Sequence, residues 1–104
     1  MGVTAAECSK VGYVLGCKVV LNEIVAYQEL IKIAGSLSEK TLRIATFACC
    51  GFANFGTVAI LFGLVSPLLD SKRLETFSNL LFRALFAAVL ASFTTAALVS
   101  AAGL

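Results

Sequence analysis

The sequence contains no histidine, and its four cysteines show no C-x-x-C spacing. Structural zinc sites and haem attachment sites depend on those residues, so neither is expected, and we predict no metal ligand in the chain. Cys49 and Cys50 lie deep in an apolar run, where cysteine usually acts as a small hydrophobic residue. There is also no nucleophile elbow and no phosphate-binding loop. We therefore predict no catalytic residue and no enzymatic activity.

Charged residues are scarce as well. They make up 13% of the 104 residues, whereas 60% are hydrophobic and the mean hydropathy is +0.98. A soluble domain averages ~25% charged residues. The net charge of +2 is small, and no dense Lys/Arg stripe is present, which excludes a nucleic-acid partner. The composition predicts an all-α integral membrane protein in contact with lipid.

Three apolar stretches divide the chain. The first, 11–34, is interrupted by polar residues, whereas 44–69 and 84–104 contain 26 and 21 residues without a charge. A transmembrane helix needs ~20 apolar residues. We therefore predict a transmembrane helix over 41–69, followed over 71–104 by a polar loop or amphipathic start and a final transmembrane helix.

Polar residues at the ends of these stretches indicate where helices begin and stop. Gly35 can stop a helix, and Ser38 offers a capping-type start for the next one. Pro67 lies near the end of its apolar run, and either Asp70 or Ser71 can cap the helix that follows.

The first stretch contains Asn22 and Glu23 side by side within VVLNEIVAY. An unpaired ion in an apolar environment costs several kcal/mol, so this pair needs an explanation. It divides the stretch into halves of about 11 residues, a length typical of re-entrant segments. We predict a re-entrant helical hairpin over 11–34 with its polar tip near the membrane midplane. The alternative is a single tilted helix in which Glu23 pairs with Lys18 or with another helix.

The second stretch contains CCGFANFGT, in which Gly51 and Gly56 flank Asn54. Glycine costs ~1 kcal/mol relative to alanine within a helix, so two glycines beside one amide indicate a local break. The transmembrane helix over 41–69 is therefore expected to be broken near its middle. Asn54 and Thr57 would then offer donors and acceptors to a polar ligand. The alternative is close helix packing, with Asn54 bonded to a neighbouring helix.

Two long motifs resemble those of a known family. GCKVVLNEIVAY (16–27) and CGFANFGT (50–57) are similar to motifs in the C-terminal part of the concentrative nucleoside transporters. Those transporters typically show G-x-K-x3-N-E-F-V-A-Y and A-L-C-G-F-A-N-F-S-S. The later SKR and RALFAAVLAS also resemble the basic loop and the start of the family's final helix. Ile24 replaces the usual phenylalanine, and Gly56-Thr57 replaces the two serines.

The resemblance implies a nucleoside:cation symporter that assembles as a homotrimer. It places the Asn22-Glu23 pair at the tip of a re-entrant hairpin, with the Glu23 carboxylate contacting the ribose hydroxyls. Asn54 and Thr57 would face the same ribose, and Phe52 would line the unwound turn beside it. A carboxylate suits a vicinal diol, because it accepts both hydroxyl protons in charge-assisted hydrogen bonds. These five residues form the predicted substrate-binding set.

The resemblance also implies that important parts lie outside this chain. The family's base-binding first hairpin and the broken helix that helps hold the cation precede the segment that resembles this sequence. We expect the chain to be incomplete alone, to need those N-terminal transporter helices, and to use no cofactor. Sodium or protons would be the coupling ion, and the plasma membrane or a bacterial inner membrane is the expected location. The alternative is a small oligomeric subunit or a proton-conducting proteolipid with a buried carboxylate.

Overall fold

The computed structural model describes all residues, 1–104, and contains helices but no strands. The all-helical prediction is therefore confirmed. The helices are α1 (Ala5–Val20), α2 (Glu23–Ile33), α3 (Glu39–Cys49), α4 (Phe55–Val65) and α5 (Ser71–Ala101), with short 3-10 turns at Ala34–Ser36 and Ser66–Leu68.

Helices α1 and α2 are joined by only two residues, Leu21 and Asn22, and pack against each other. The single helix considered as an alternative for this stretch is not what the structure contains. Helix α3 packs on both, and their inward-facing apolar residues form the main buried cluster. Its members are Val11, Val14, Ala26, Leu30, Ala45 and Cys49.

Helix α5 packs along α3 and α4. Its contact with α3 buries Ala96 against Ile44 and Ala48, and the alanines allow the two backbones to approach closely. The Ser92 hydroxyl adds a polar link, donating a hydrogen bond to the Cys50 carbonyl oxygen at 3.3 Å. This hydrogen bond connects the residues that follow α3 to the middle of α5.

Helix α5 is the one helix that is long and apolar enough to cross a membrane. Its 31 residues correspond to about 46 Å, more than the ~30 Å of a hydrocarbon core. The sequence placed a polar loop or amphipathic start ahead of this span, and the structure shows regular helix from Ser71 onward. Asp70 caps it, its Oδ1 accepting a hydrogen bond from the Arg73 N–H at 2.9 Å.

The Glu7 carboxylate connects the beginning of α1 to the beginning of α3 through hydrogen bonds. It accepts hydrogen bonds from the Thr41 hydroxyl at 2.5 Å, the Ser38 N–H at 2.5 Å and the Thr4 hydroxyl at 2.8 Å. These bonds, that from Thr41 foremost, lower the pKa of Glu7 to about 2. Ser38 also caps α3 as predicted, since its hydroxyl accepts from the Thr41 N–H at 3.3 Å.

Candidate functional site

Four helix ends come together around residues 21–23 and 49–54. Helices α1 and α3 end there, whereas α2 and α4 begin there. Each of the two beginning helices is capped by an asparagine. The Val25 N–H donates to Asn22 Oδ1 at 2.9 Å, and the Thr57 N–H donates to Asn54 Oδ1 at 2.8 Å. Both caps satisfy backbone donors that a helix start otherwise leaves without partners.

The Asn54 side chain connects a carboxylate to a hydroxyl. Its Nδ2 donates to Glu23 Oε2 at 3.2 Å, and its Oδ1 accepts from the Thr57 hydroxyl at 3.2 Å. Asn54 is only 3% exposed, so this amide has few alternatives to these partners. The structure therefore brings together Glu23, Asn54 and Thr57, three residues that the sequence named as substrate-binding.

The position of Glu23 suits a negative charge. It is the first residue of α2, and through Asn54 it also lies beside the first turn of α4. The N-terminal end of a helix carries a partial positive charge, which stabilises a nearby carboxylate. Asn54 occupies only part of the acceptor capacity of the carboxylate, which can take about four hydrogen bonds. The remaining acceptor positions of the Glu23 carboxylate are free for hydroxyl donors.

Two glycines permit this close arrangement. Gly51 has a φ of +131°, a conformation that residues with a side chain rarely adopt. A Cβ atom on Gly56 would lie 3.0 Å from Asn54 Oδ1 and 3.5 Å from the Leu21 carbonyl oxygen. Gly51 therefore allows the chain to turn after α3, and Gly56 allows α4 to approach the α1–α2 connection.

A cavity of about 370 Å³ adjoins this cluster between α4 and α5. Phe52, Asn54 and Thr57 line one side, and the other side is built mainly from small side chains of α5. The volume is within the ~300–1,000 Å³ range of small-molecule sites. Phe52 is 75% exposed, whereas Glu23 reaches the cavity only through Asn54. An apolar space with a few polar groups at one edge can hold a ligand with an apolar ring and a polar end.

Two further residues are placed by the structure. The Asn22 side-chain oxygen caps α2, and Asn22 has no side-chain hydrogen bond to Glu23, Asn54 or Thr57. Lys18 was not predicted as a functional residue, yet its side chain is completely buried. A signal was present, because Lys18 follows Val11 and Val14 at helical spacing on the buried face of α1.

These structural features indicate a class of membrane protein. Pairs of short helices whose ends meet at polar residues, within a strongly apolar chain, are typical of secondary transporters, which place substrate sites at such ends.

The chain belongs to the family described as the Na+ dependent nucleoside transporter C-terminus, whose sequence profile matches residues 1–100. It is 36% identical over 101 residues to the nucleoside permease NupC of Helicobacter pylori, covering 92% of this chain and 24% of the permease. It is 35% identical over 111 residues to the human sodium/nucleoside cotransporter 1, covering 92% of this chain and 17% of the cotransporter.

Solved structures agree with this assignment. The fold matches CNTnw in an inward-facing, substrate-bound state with a TM-score of 0.84 and 36% identity, over 95% of this chain and 25% of that one. The chain thus spans about a quarter of the length of the Helicobacter pylori permease and of the CNTnw chain. These relatives are membrane nucleoside transporters and not enzymes.

Proposed function

We propose that this chain is the C-terminal part of a cation-coupled nucleoside symporter and supplies the residues that bind the ribose. The observation that carries the proposal is the hydrogen-bonded series formed by Glu23, Asn54 and Thr57 at the edge of a cavity. Membership in a nucleoside transporter family supports the substrate class. It also favours a symporter over a small proton-conducting subunit.

In the membrane, α1 and α2 form a re-entrant hairpin, α3 and α4 are the halves of one broken transmembrane helix, and α5 is the final span. Each of the first four helices, at 11 to 16 residues, is shorter than the ~20 residues that a full span needs. Non-helical backbone at membrane depth must be surrounded by protein or line a cavity. Residues 50–54 meet this condition through their contact with Ser92 and the adjoining cavity.

The ribose hydroxyls donate to Glu23, whose carboxylate is already oriented by Asn54. The Thr57 hydroxyl offers one more polar contact, and Asn22 holds the start of α2 in place. Phe52, on the exposed wall of the cavity, offers an aromatic face to the base or the sugar. A site built to pair hydroxyl groups discriminates strongly against analogues that lack them, since its own acceptor would be left without a donor.

Other parts of the transporter would complete the site. The groups that recognise the base, the ligands of the coupling sodium ion or proton, and the contacts of a homotrimer belong to helices outside this chain. The complete protein would reside in a plasma membrane or a bacterial inner membrane. No resident cofactor is required, because the ion gradient drives the movement.

Uptake by a chimeric permease tests the proposal. In this chimera the full 104-residue chain replaces the homologous C-terminal segment of the Helicobacter pylori permease. We expect uptake of radiolabelled uridine by cells lacking their own nucleoside permeases, with competition by uridine at least about tenfold better than by 2′,3′-dideoxyuridine. The empty vector and the permease without its C-terminal segment are the controls. A chimera that inserts in the membrane but does not take up uridine would contradict the proposal.

A further inference from the structure

Tyr27 forms the single side-chain hydrogen bond that joins α2 to α3. Its hydroxyl donates to the Thr46 carbonyl oxygen at 3.0 Å, and its ring packs against the main buried cluster. Thr46 lies in the last turn of α3, where the carbonyl groups of a helix have no donor within the helix itself. Tyr27 therefore supplies a donor to a carbonyl that α3 leaves without one.

The same carbonyl decides where α3 ends. In a continuing helix the Thr46 oxygen would accept a hydrogen bond from the Cys50 N–H, four residues later. The Cys50 N–H donates instead to the Phe47 carbonyl oxygen at 3.2 Å, a three-residue spacing that tightens the last turn. Cys50 is already extended, and Gly51 follows with a positive φ. The chain thus leaves the helix at the carbonyl that Tyr27 occupies.

Tyr27 also lies one helical turn beyond Glu23. The two residues are four positions apart in α2, so their side chains are on the same face and about 6 Å apart along the axis. Glu23 accepts a hydrogen bond from Asn54, which belongs to the segment that follows α3. Helix α2 is therefore joined to the interrupted region at two points, through Glu23 to Asn54 and through Tyr27 to Thr46. Two such points set both the distance and the rotation of α2 relative to the break.

We propose that Tyr27 is a positioning residue of the ribose site, whose hydrogen bond to the Thr46 carbonyl ends α3 at Cys49 and holds residues 50–54 where Asn54 meets Glu23. This inference rests on the proposed function. A carbonyl group at membrane depth needs a donor from the protein. Without the Tyr27 hydroxyl, the nearest donor for Thr46 is the Cys50 N–H. That bond would lengthen α3 by one residue and displace Asn54 from the Glu23 carboxylate.

Discrimination between two ligands tests this role. The chimeric permease is purified in detergent, and the dissociation constants for uridine and 2′,3′-dideoxyuridine are measured by competition with radiolabelled uridine. For Tyr27→Phe we expect about three- to tenfold weaker binding of uridine, the effect of losing one hydrogen bond. Binding of dideoxyuridine should be unchanged, because it lacks the hydroxyl groups that Glu23 accepts. A general loosening of the fold would instead weaken both ligands and leave their ratio unchanged.

Two matched controls separate the hydrogen bond from the side chains around it. Thr46→Val keeps the carbonyl that Tyr27 contacts and removes only the Thr46 hydroxyl, which donates to the Leu42 carbonyl oxygen at 2.8 Å. Tyr13→Phe removes the hydroxyl of the other tyrosine, which is 61% exposed on α1. We expect both variants to keep the unmodified ratio of the two dissociation constants.

A double variant shows whether Tyr27 acts through Glu23. In the Glu23→Gln background, Tyr27→Phe should cause no further loss of uridine binding, whereas independent roles would give additive losses. Additive losses, an unchanged ratio of the two dissociation constants, or absence of Tyr27→Phe from the membrane would each overturn the inference. Failure of the unmodified chimera to bind uridine would instead refute the proposed function.

Discussion

The Asn54 side-chain amide donates a hydrogen bond to the Glu23 carboxylate over 3.2 Å, joining residues 31 positions apart in the sequence. The same amide caps α4 through its oxygen. Its orientation is therefore fixed, with the nitrogen directed at the carboxylate and the oxygen at the first turn of α4. One side chain thus couples the geometry of the two interrupted helical segments.

Removing the charge of Glu23 is expected to lower uptake strongly. Glu23→Gln in the chimeric permease should lower uridine uptake by about tenfold to a hundredfold, because a hydrogen bond to a charged group contributes ~1.5–3 kcal/mol. The measurement is initial uptake rate, normalised to the amount of chimera in the membrane. Glu39→Gln is the control, since that carboxylate is 93% exposed and its loss should leave uptake unchanged. Normal uptake by Glu23→Gln would disprove the assignment of Glu23 to the site.

Asn54 and Glu23 are expected to be energetically coupled. Asn54→Ala removes the cap of α4, at a cost of ~0.5–2 kcal/mol, together with the bond to Glu23. In a double-mutant cycle with Glu23→Gln, the combined loss of uridine binding energy should differ from the sum of the single losses by more than ~0.5 kcal/mol. Calorimetric dissociation constants for the four proteins give this value. Strict additivity would show that the observed hydrogen bond does not matter for binding.

Gly56 and Gly63 provide a matched pair within α4. A Cβ at Gly56 would lie 3.0 Å from Asn54 Oδ1, whereas a Cβ at Gly63 would meet no atom within 4 Å. Gly56→Ala should therefore displace the Asn54 side chain and weaken uridine binding. Gly63→Ala should leave binding unchanged and raise the melting temperature, because alanine favours a helix by up to ~1 kcal/mol over glycine. Equal effects of the two substitutions on binding would contradict this prediction.

Glu7 is expected to stabilise the fold in a pH-dependent manner. Its pKa in the folded chain is about 2, against an ordinary value of 4.5. Because the folded value is the lower one, the stabilisation is fully present above pH 4.5 and is lost as the pH falls toward 2. Glu7→Gln should have a lower melting temperature than the unmodified chain at pH 7, and the two values should converge in acid.

Circular dichroism of the detergent-solubilised chain across this pH range provides the measurement for Glu7. Glu75→Gln is the control, because Glu75 is exposed and forms no hydrogen bond or ion pair in the structure. A difference between Glu7→Gln and the unmodified chain that stays constant from pH 7 to pH 2 would show that the carboxylate charge is not the cause.

Local signals in the sequence indicated where helices start and where the helical structure is interrupted between α3 and α4. Ser38 and Asp70 were named as capping residues, and both accept the expected backbone hydrogen bonds. The glycines around Asn54 indicated an interruption, and residues 50–54 are not helical. Such features depend on a few neighbouring residues, so they can be inferred without knowing the tertiary structure.

Features that depend on distant contacts were not predicted. Two partners of Glu7, Ser38 and Thr41, are more than thirty positions away, and the burial of Lys18 depends on how α1 packs against α2 and α3.

The meeting of two helix beginnings with two helix ends has a consequence for the response of the protein to membrane voltage. The partial positive charges at the starts of α2 and α4 oppose the partial negative charges at the ends of α1 and α3. Moving one unpaired charge across the bilayer involves ~2.3 kcal/mol of electrical work per 100 mV. A region whose charges sum to zero experiences almost none of this work. The membrane potential would then do little work on the part of this chain where the four helix ends meet.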